Sequence, residues 1–205
     1  MKIIGICGLI GSGKGTVADI LQQQHDFKKI SFADSLKDAV SVVFGWPRHL
    51  LEGDTAESRE WREQRDAWWA DRLGIPDLTP RLILQIWGTE VCRESFHPDV
   101  WIASMERKIQ QAILTRAENY AEARIVVPDV RFPNEVEMIQ RVGGKIWHIK
   151  RGETPAWFID YIKGAEAPAD IHPSEYSWAR SQFDAFIRND GPIEQLQGII
   201  YQFVG

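Results

Sequence analysis

A glycine-rich stretch close to residue 8 has the residue types and the spacing that bind phosphate. Residues 8–16 read Gly-Leu-Ile-Gly-Ser-Gly-Lys-Gly-Thr and directly follow an apolar run over 3–7. Glycine adopts positive φ without steric cost, so such a loop can turn successive backbone N–H groups toward one anion. The spacing of Gly8, Gly13 and Lys14 fits a P-loop, in which the lysine supplies a mobile positive charge for the outer phosphates.

This loop predicts a site for the phosphates of ATP at the start of a helix. The helix that begins at Lys14 adds the positive end of its dipole. A plain glycine-rich turn is the competing interpretation, and it is disfavoured because strand, loop, lysine and amphipathic helix follow in the required order. The residues predicted to bind the phosphates are Gly11, Ser12, Gly13, Lys14, Gly15 and Thr16.

The residue after the lysine departs from the usual P-loop pattern. A serine or threonine normally stands there, and its hydroxyl reaches Mg²⁺. Here Gly15 occupies the position and Thr16 follows, which counts against direct metal ligation by Thr16. The order Gly-Lys-Gly-Thr resembles the loop of adenylate kinase-like nucleoside monophosphate kinases, so it favours phosphoryl transfer to a small molecule.

An apolar strand that ends in a carboxylate is the second nucleotide signature. Residues 125–129 read Ile-Val-Val-Pro-Asp, which fits a Walker B strand. In a parallel sheet Asp129 would emerge beside the P-loop and hold Mg²⁺ through water; an aspartate that caps the next turn is the alternative. Arg131 lies at the same edge and is a candidate cation for the transferred phosphoryl group. A salt bridge to Glu135 is the competing interpretation of Arg131.

A polar stripe runs along the predicted helix 80–95. Arginine can fork onto a phosphate, and a glutamine amide can donate and accept at a base edge. The stripe therefore suits a nucleoside monophosphate, with Gly88 leaving room for a ligand; an ordinary solvated face is the alternative. Its members recur at steps of four, seven and eight residues, and they are Arg81, Gln85, Gly88, Thr89, Cys92 and Arg93.

Seven short stretches, spread over nearly the whole chain, resemble the bacteriophage-type deoxynucleoside monophosphate kinases. They occur in the family's order. The stretches Gln-Ile-Trp-Gly-Thr-Glu at 85–90 and Pro-Asp-Val-Arg at 128–131 discriminate better than the P-loop, which many families share. The matching segments are 8–14, 32–39, 84–90, 99–101, 127–131, 172–175 and 189–191.

The resemblance implies transfer of the γ-phosphoryl group of ATP to a deoxynucleoside monophosphate, which yields the diphosphate. It implies that Arg151 and the segment 152–182 form a lid over ATP. Catalytic roles fall to Lys14, Arg131 and Arg151, and a cofactor contact falls to Asn189. The acceptor-site candidates that it supports are Lys37, Arg81, Gln85 and Arg93.

One part of the chain matches the family poorly, and a second part departs from the better-known nucleotide kinases. Residues 47–78 alternate charges densely and predict an inserted helical arm, which is either a solvated surface or a contact to the substrate. The segment 152–182 carries few cations for a lid, so Arg131 and Arg151 would supply the missing charge. The role of His172 is open between a phosphate donor and a structural hydrogen bond with Glu175.

Apolar periodicity predicts strands that alternate with helices, which implies a parallel sheet with helices on both faces. The predicted fold is an α/β P-loop NTPase of the nucleoside monophosphate kinase type, with five parallel strands in a single domain over 1–205. Its core covers 1–46, 79–151 and 184–205, with a helical insertion at 47–78 and a lid-like segment at 152–183. The predicted strands cover 2–7, 28–32, 125–129, 145–150 and 184–188. The predicted helices cover 14–24, 34–44, 80–95, 99–121, 133–142 and 192–203.

Composition limits the partners and the compartment. The net charge of −5 argues against a nucleic-acid partner. Of the two cysteines, Cys7 falls in a predicted buried strand, which indicates a reducing cytoplasm, that of the host cell for a phage protein. No leader and no apolar run of about 18 residues is present, so we expect neither secretion nor a membrane span. Self-association as a homodimer is left open.

Two other functions compete with the nucleotide kinase. One is another small-molecule P-loop kinase, such as a dephospho-coenzyme A kinase. The other is a non-catalytic nucleotide-binding regulator that hydrolyses ATP slowly or not at all. The polar stripe over 81–93 argues for an acceptor site and against a mere sensor.

Overall fold

Five parallel strands form one sheet in the computed structural model, which describes residues 1–115 and 123–204. The strand order is β2-β3-β1-β4-β5, and every neighbouring pair is parallel. The predicted five-stranded parallel sheet is thus confirmed. The strands are β1 (Lys2–Cys7), β2 (Lys28–Lys29), β3 (Arg124–Val127), β4 (Lys145–Lys150) and β5 (Ala185–Arg188).

The helices alternate with these strands, and several were predicted within a residue or two. The α-helices are α1 (Lys14–His25), α2 (Ala33–Phe44), α3 (Ala56–Glu63), α4 (Ala67–Leu73), α5 (Pro80–Ile86), α6 (Val100–Thr115), α7 (Pro133–Arg141), α8 (Ala156–Ile162) and α9 (Ile193–Val204). A π-helix covers Trp87–Phe96, and short 3₁₀ turns cover Arg48–Leu51, Pro173–Glu175 and Ser177–Arg180.

Residues 1–31 and 106–205 form one compact unit that contains the sheet. One face of the sheet packs on α1 and α9, through side chains such as Ile6, Leu21 and Ile200, all of which are fully buried. On the other face α7 approaches Gly5 so closely that an added Cβ would lie 2.6 Å from Cδ1 of Ile139. Helices therefore cover both faces of the sheet. Because its central strands are buried on both faces, their sequences are nearly continuous apolar runs.

Residues 32–105 form the second compact unit, which is built from short helices and aromatic rings. Phe44 stacks on Trp46 with ring centroids 4.5 Å apart and meets the edge of Trp69 at 4.8 Å. The Trp46 indole nitrogen donates to Oδ2 of Asp66 at 2.7 Å. Aromatic side chains, several of them tryptophans, thus form the core of this unit, which contains no strand among its residues 32–105. The predicted helical arm at 47–78 contains the 3₁₀ turn Arg48–Leu51 and the helices α3 and α4.

Most predicted boundaries lie within two residues of the observed ones, and three predicted elements need a separate account. The second strand ends at Lys29 rather than at 32, because Phe32 already has helical φ and ψ before α2. The predicted helix 80–95 is an α-helix followed by a π-helix. Residues 116–121 of the predicted helix 99–121 lie outside the described residues, and α6 covers the part up to Thr115.

The segment 152–182 is more ordered than its proline content predicts. It contains α8 and two short 3₁₀ turns, and Phe158 and Trp178 are buried. The ring centroids of Phe158 and Trp178 lie 5.5 Å apart. Packing between these aromatic side chains therefore orders the segment, although its sequence has no helical or strand periodicity. The division into a single domain with an insertion and a lid stays a prediction; the two compact units divide the chain differently.

Candidate active site

The loop between β1 and α1 has the backbone shape of a phosphate cradle. Gly8 has φ 155° and Gly13 has φ 93°. A Cβ on Gly8 would lie 2.4 Å from the carbonyl oxygen of Ile149, and a Cβ on Gly13 would lie 2.2 Å from Nδ2 of Asn189. Both positions therefore require glycine. The helix α1 begins directly at Lys14, so its first N–H groups point toward the loop.

The ammonium group of Lys14 lies folded over this loop. It donates to the carbonyl oxygens of Gly8 at 2.6 Å and Leu9 at 3.0 Å. Burial and, to a smaller extent, the charge of Arg131 lower the pKa of Lys14 to about 8, whereas the charge of Glu175 opposes this shift. A partly desolvated cation of this kind gains most from an anionic ligand.

The hydroxyl of Ser12 is buried inside the loop. Its Oγ has no hydrogen-bond partner among the described residues, although the residue is only 3% exposed. A buried hydroxyl without a partner is costly, and a phosphate oxygen would satisfy it. The loop geometry, Lys14 and this hydroxyl fit the phosphate chain of a nucleoside triphosphate.

Asn189 supports the loop from behind. It follows β5 and is 9% exposed, and its Nδ2 donates to the carbonyl oxygen of Ser12 at 3.0 Å. The backbone N–H of Asn189 donates to Lys150 of the neighbouring strand at 2.8 Å. The predicted cofactor residue is thus placed at the P-loop, where its amide contacts loop backbone.

Asp129 lies at the carboxyl end of β3, as the strand pattern predicts. Its Oδ2 accepts a hydrogen bond from Oγ of Ser31 at 2.5 Å. Ser31 follows β2, which neighbours β3 in the sheet, so this partner was foreseeable from strand order but was missed. Asp129 also acts electrostatically on Lys14.

The donor set fits a metal held indirectly rather than a closed metal cage. Within the described part of the chain, no group of three histidine, cysteine, aspartate or glutamate side chains could hold a metal ion. A single carboxylate beside a phosphate cradle suits Mg²⁺, which keeps most of its waters. Thr16 is exposed on the first turn of α1.

Arg131 forms an ion pair, but with a residue other than the one predicted. Its Nη1 donates to Oε1 of Glu175 at 3.0 Å and to Oγ of Ser174 at 3.4 Å. The predicted alternative, a side-chain salt bridge to Glu135, is wrong. The Glu135 carboxylate instead accepts hydrogen bonds from the backbone N–H of Arg131 at 2.6 Å and from that of Phe132 at 3.2 Å. Backbone N–H groups at the start of a helix have no carbonyl partner within the helix, so a side chain satisfies them at the start of α7.

His172 makes the structural hydrogen bond with Glu175 that was one of its two expected roles, and the bond is between backbone groups: the N–H of Glu175 donates to the carbonyl oxygen of His172 at 2.9 Å. Its Nδ1 lies 2.9 Å from Oγ of Ser174 and accepts the N–H of Ser174 at 3.2 Å. The ring thereby caps the 3₁₀ turn Pro173–Glu175. The Glu175 carboxylate is directed to Arg131, which leaves only the backbone of Glu175 to contact His172.

Arg151 follows β4 and is exposed. The next residue, Gly152, donates its N–H to Oδ1 of Asp190 at 2.6 Å. This bond, together with Arg188, holds the pKa of Asp190 below its ordinary value. The start of the lid-like segment is thus tied to the end of β5.

The acceptor candidates all belong to the second compact unit. Lys37 on α2 pairs with Glu52 at 2.6 Å, and Arg81 on α5 pairs with Glu63 at 2.9 Å. Gln85 is half-buried, and Arg93 donates to the carbonyl oxygen of Pro98 at 3.5 Å. The helix α2 contacts both α5 and the π-helix, which brings these elements together.

The π-helix changes the predicted stripe. Its wider turn shifts the residues after 87 around the helix axis, so the steps of seven and eight do not continue one straight face. Val91, an apolar residue of this π-helix, is 44% exposed. A Cβ on Gly88 would lie 3.0 Å from Cδ2 of Leu36 on α2, so the glycine allows close helix packing, and the expectation that it leaves room for a ligand stays a prediction.

Fold and loop together define the class of the protein. A parallel sheet whose central first strand leads into a phosphate cradle and a helix is an α/β P-loop nucleotide-binding fold. Residues 76–200 match the family model for deoxynucleotide monophosphate kinase. The chain therefore belongs to the deoxynucleotide monophosphate kinase family, as the seven short stretches indicated.

Curated relatives agree with this assignment. A protein of Acanthamoeba polyphaga mimivirus, provisionally named deoxynucleotide monophosphate kinase, is 28% identical over 100% of this chain and 96% of its own length. The deoxynucleoside-5'-monophosphate kinase of Escherichia phage T5 is 26% identical over 67% of this chain and 71% of its own. Among solved structures, a dephospho-CoA kinase from Campylobacter jejuni aligns with a TM-score of 0.49 at 13% identity, over 100% of this chain and 96% of its own.

Membrane insertion has no support in the helices that the structure describes, since none of them combines the length and the apolar character needed to cross a bilayer.

Proposed function

We propose that this enzyme transfers the γ-phosphoryl group of ATP to a deoxynucleoside 5'-monophosphate and releases the diphosphate. The observation that carries the proposal is the loop at 8–16, with two obligatory glycines and a buried, partnerless Ser12 hydroxyl, in a member of this kinase family. Such a cradle binds the phosphates of the donor. The acceptor phosphate is already an anion, so no general base is needed.

The reaction proceeds by positioning and by charge stabilisation. The backbone N–H groups of Gly11 to Gly15 surround the donor phosphates, and Lys14 leaves the carbonyl oxygens of Gly8 and Leu9 to contact the outer ones. Charge that spreads over the transferred oxygens is met by Lys14 and Arg131. Arg151, exposed at the end of β4, adds a second arginine on lid closure.

Asp129 is the residue that would hold Mg²⁺, through water, with Thr16 as the weaker candidate. When bound, the metal neutralises charge on the donor phosphates. The hydroxyl of Ser31 orients the Asp129 carboxylate toward this task. Asn189 keeps the loop in shape through the Ser12 carbonyl.

The acceptor site consists of Lys37, Arg81, Gln85 and Arg93. Without substrate, Lys37 pairs with Glu52 and Arg81 pairs with Glu63. The acceptor phosphate therefore competes with these two carboxylates for the cations. Gln85 contacts the base edge, because its amide both donates and accepts. The pairs keep the cations ordered before the substrate arrives.

We expect the enzyme to work in a reducing cytoplasm, that of the host cell if a phage encodes it. Cys7 and Cys92 are both free thiols, and burial raises the pKa of Cys7. The viral and phage relatives support this compartment. The negative net charge leaves nucleic acid an unsuitable partner, and homodimer formation stays a prediction.

The test is a coupled assay of ADP release with a panel of deoxynucleoside and ribonucleoside monophosphates, with dephospho-coenzyme A as a further acceptor. The proposal expects release that depends on a deoxynucleoside monophosphate, and a loss of roughly two or more orders of magnitude in Lys14→Ala. Release with dephospho-coenzyme A alone, or slow acceptor-independent hydrolysis, would support one of the two competing functions instead. Unchanged turnover in Lys14→Ala would contradict the P-loop assignment.

A further inference from the structure

Ser174 and Glu175 hold one end of the Arg131 guanidinium. Both of their contacts use the same nitrogen, Nη1, at 3.4 Å and 3.0 Å. Within residues 1–115 and 123–204, no hydrogen bond occupies Nε or Nη2 of Arg131. Those two nitrogens share the other edge of the group, which can fork onto two oxygens of one phosphate.

The turn that carries Ser174 and Glu175 is itself firmly anchored. His172 accepts the N–H of Ser174 through Nδ1 at 3.2 Å, and the Trp178 indole donates to the carbonyl oxygen of Glu175 at 3.0 Å. Trp178 is 1% exposed, so this anchor lies in the core. The backbone of Glu175 is therefore held in place, and its carboxylate can hold Arg131 in one orientation.

Stability does not explain this arrangement. The side chains of Arg131 and Glu175 are 44% and 26% exposed, and ion pairs at such exposure contribute about 0–1 kcal/mol. Electrostatics link the pair to the P-loop instead, because Arg131 lowers and Glu175 raises the pKa of Lys14. The carboxylate thus offsets the repulsion between two cations that serve one anion.

We propose that Ser174 and Glu175 are positioning residues that fix the orientation of Arg131 and present its Nε–Nη2 edge to the transferred phosphoryl group. This inference rests on the proposed phosphoryl transfer. It assigns the turn 172–175 to the reaction itself, although the turn belongs to the segment predicted as a lid. No contact between Glu175 and either nucleotide is required.

The test is a double-mutant cycle on kcat with Arg131→Ala, Glu175→Ala and the double variant. We expect Glu175→Ala alone to lower kcat by roughly tenfold to a hundredfold, with the KM of both substrates within about threefold. In the Arg131→Ala background the same change should have no further effect. Glu175→Gln should recover part of kcat, since its amide oxygen still accepts from Nη1.

Glu137→Ala is the matched control, because this exposed glutamate lies on α7, which follows Arg131 in the chain, and it should leave kcat unchanged. Equal losses from Glu175→Ala in both backgrounds would overturn the positioning role while leaving the kinase function intact. A wild-type chain without transfer to any deoxynucleoside monophosphate would overturn both proposals. If Glu175→Ala fails to fold, Glu175→Gln and Ser174→Ala complete the cycle, and independent effects there would equally overturn it.

Discussion

Lys14 is a titrating cation rather than a permanent one, since its pKa in the free protein is about 8. Phosphates favour its charged form, so binding of ATP raises this pKa. At pH 8 about half of the free protein must therefore gain a proton on binding. We expect calorimetric titration with ATP in two buffers of different ionisation enthalpy to reveal this uptake.

The same equilibrium fixes the pH dependence of ATP affinity. Above pH 8 the free protein carries neutral Lys14, and affinity should fall by up to about tenfold per pH unit. Lys14→Met is the control, since it has no proton to gain and should show the same heat in both buffers. Proton uptake that persists in Lys14→Met would assign the titration to another group.

Asn189 is a single amide that reaches the P-loop from the far end of the sequence. Asn189→Ala leaves the Ser12 carbonyl without its donor, which should lower the free energy of unfolding by about 1–3 kcal/mol. We also expect the KM for ATP to rise more than the KM for the acceptor. Urea denaturation and steady-state kinetics measure the two effects.

The control for Asn189→Ala is Arg188→Ala at the neighbouring position, the last residue of β5, whose side chain is 74% exposed and should be replaceable at little cost. A KM for ATP that stays normal in Asn189→Ala, with stability reduced, would limit the amide to a structural role.

At the scale of an element, α5 and the π-helix together present the acceptor candidates. Arg93→Ala should raise the KM for the monophosphate by about tenfold or more and leave ATP affinity nearly intact, because an arginine contacts a phosphate. Gln85→Ala should instead change the ranking among bases, because an amide contacts a base edge. Initial rates across the four deoxynucleoside monophosphates separate these effects.

Equal losses for ATP and acceptor in Arg93→Ala and Gln85→Ala would give this helix a purely structural role. Val91→Ala is a suitable control, because Val91 is exposed on the same π-helix and carries no charge.

The elements show why some features could be predicted and others could not. The P-loop and the strand before Asp129 are local patterns, so spacing alone located them. The change from an α-helix to a π-helix at Trp87 could not be predicted from the sequence. The apolar residues at 83, 86 and 87 have a spacing that fits an α-helix and a π-helix equally well. The helix α8 was missed because Pro155 and Pro168 suggested a loop, although Pro155 only precedes the first turn.

At the scale of the whole molecule, long-range pairs were beyond prediction. Arg131 and Glu175 are 44 residues apart, and Asn189 lies 177 residues from Ser12. Either contact requires knowing which strand ends meet. The second compact unit could not be predicted for the same reason. Phe44 and Trp87 are far apart in the sequence and fit ordinary helix patterns, and only the structure shows their ring centroids 5.4 Å apart.

The segment 152–182 is where closure over the substrates is expected. Its anchors are already in place, since the Arg180 guanidinium donates to the carbonyl oxygens of Tyr161 and Ala165 and Phe158 is buried. We therefore expect residues 163–172, rather than α8, to gain protection from hydrogen exchange when a bisubstrate analogue binds. Amides of β1 should be protected in both states. Equal exchange over 163–172 with and without the analogue would eliminate the lid.

The central position of β1 has a consequence for synthesis on the ribosome. The strand β1 lies between β3 and β4, and both of these hydrogen-bonding neighbours are translated more than a hundred residues later than β1. The P-loop receives its last support only when Asn189 has emerged. Until β3 and β4 have emerged, the apolar strand β1 has no partner to pair with, and it is exposed to aggregation. Slow elongation before residue 150 would prolong that exposure, whereas a chaperone that holds β1 would shorten it.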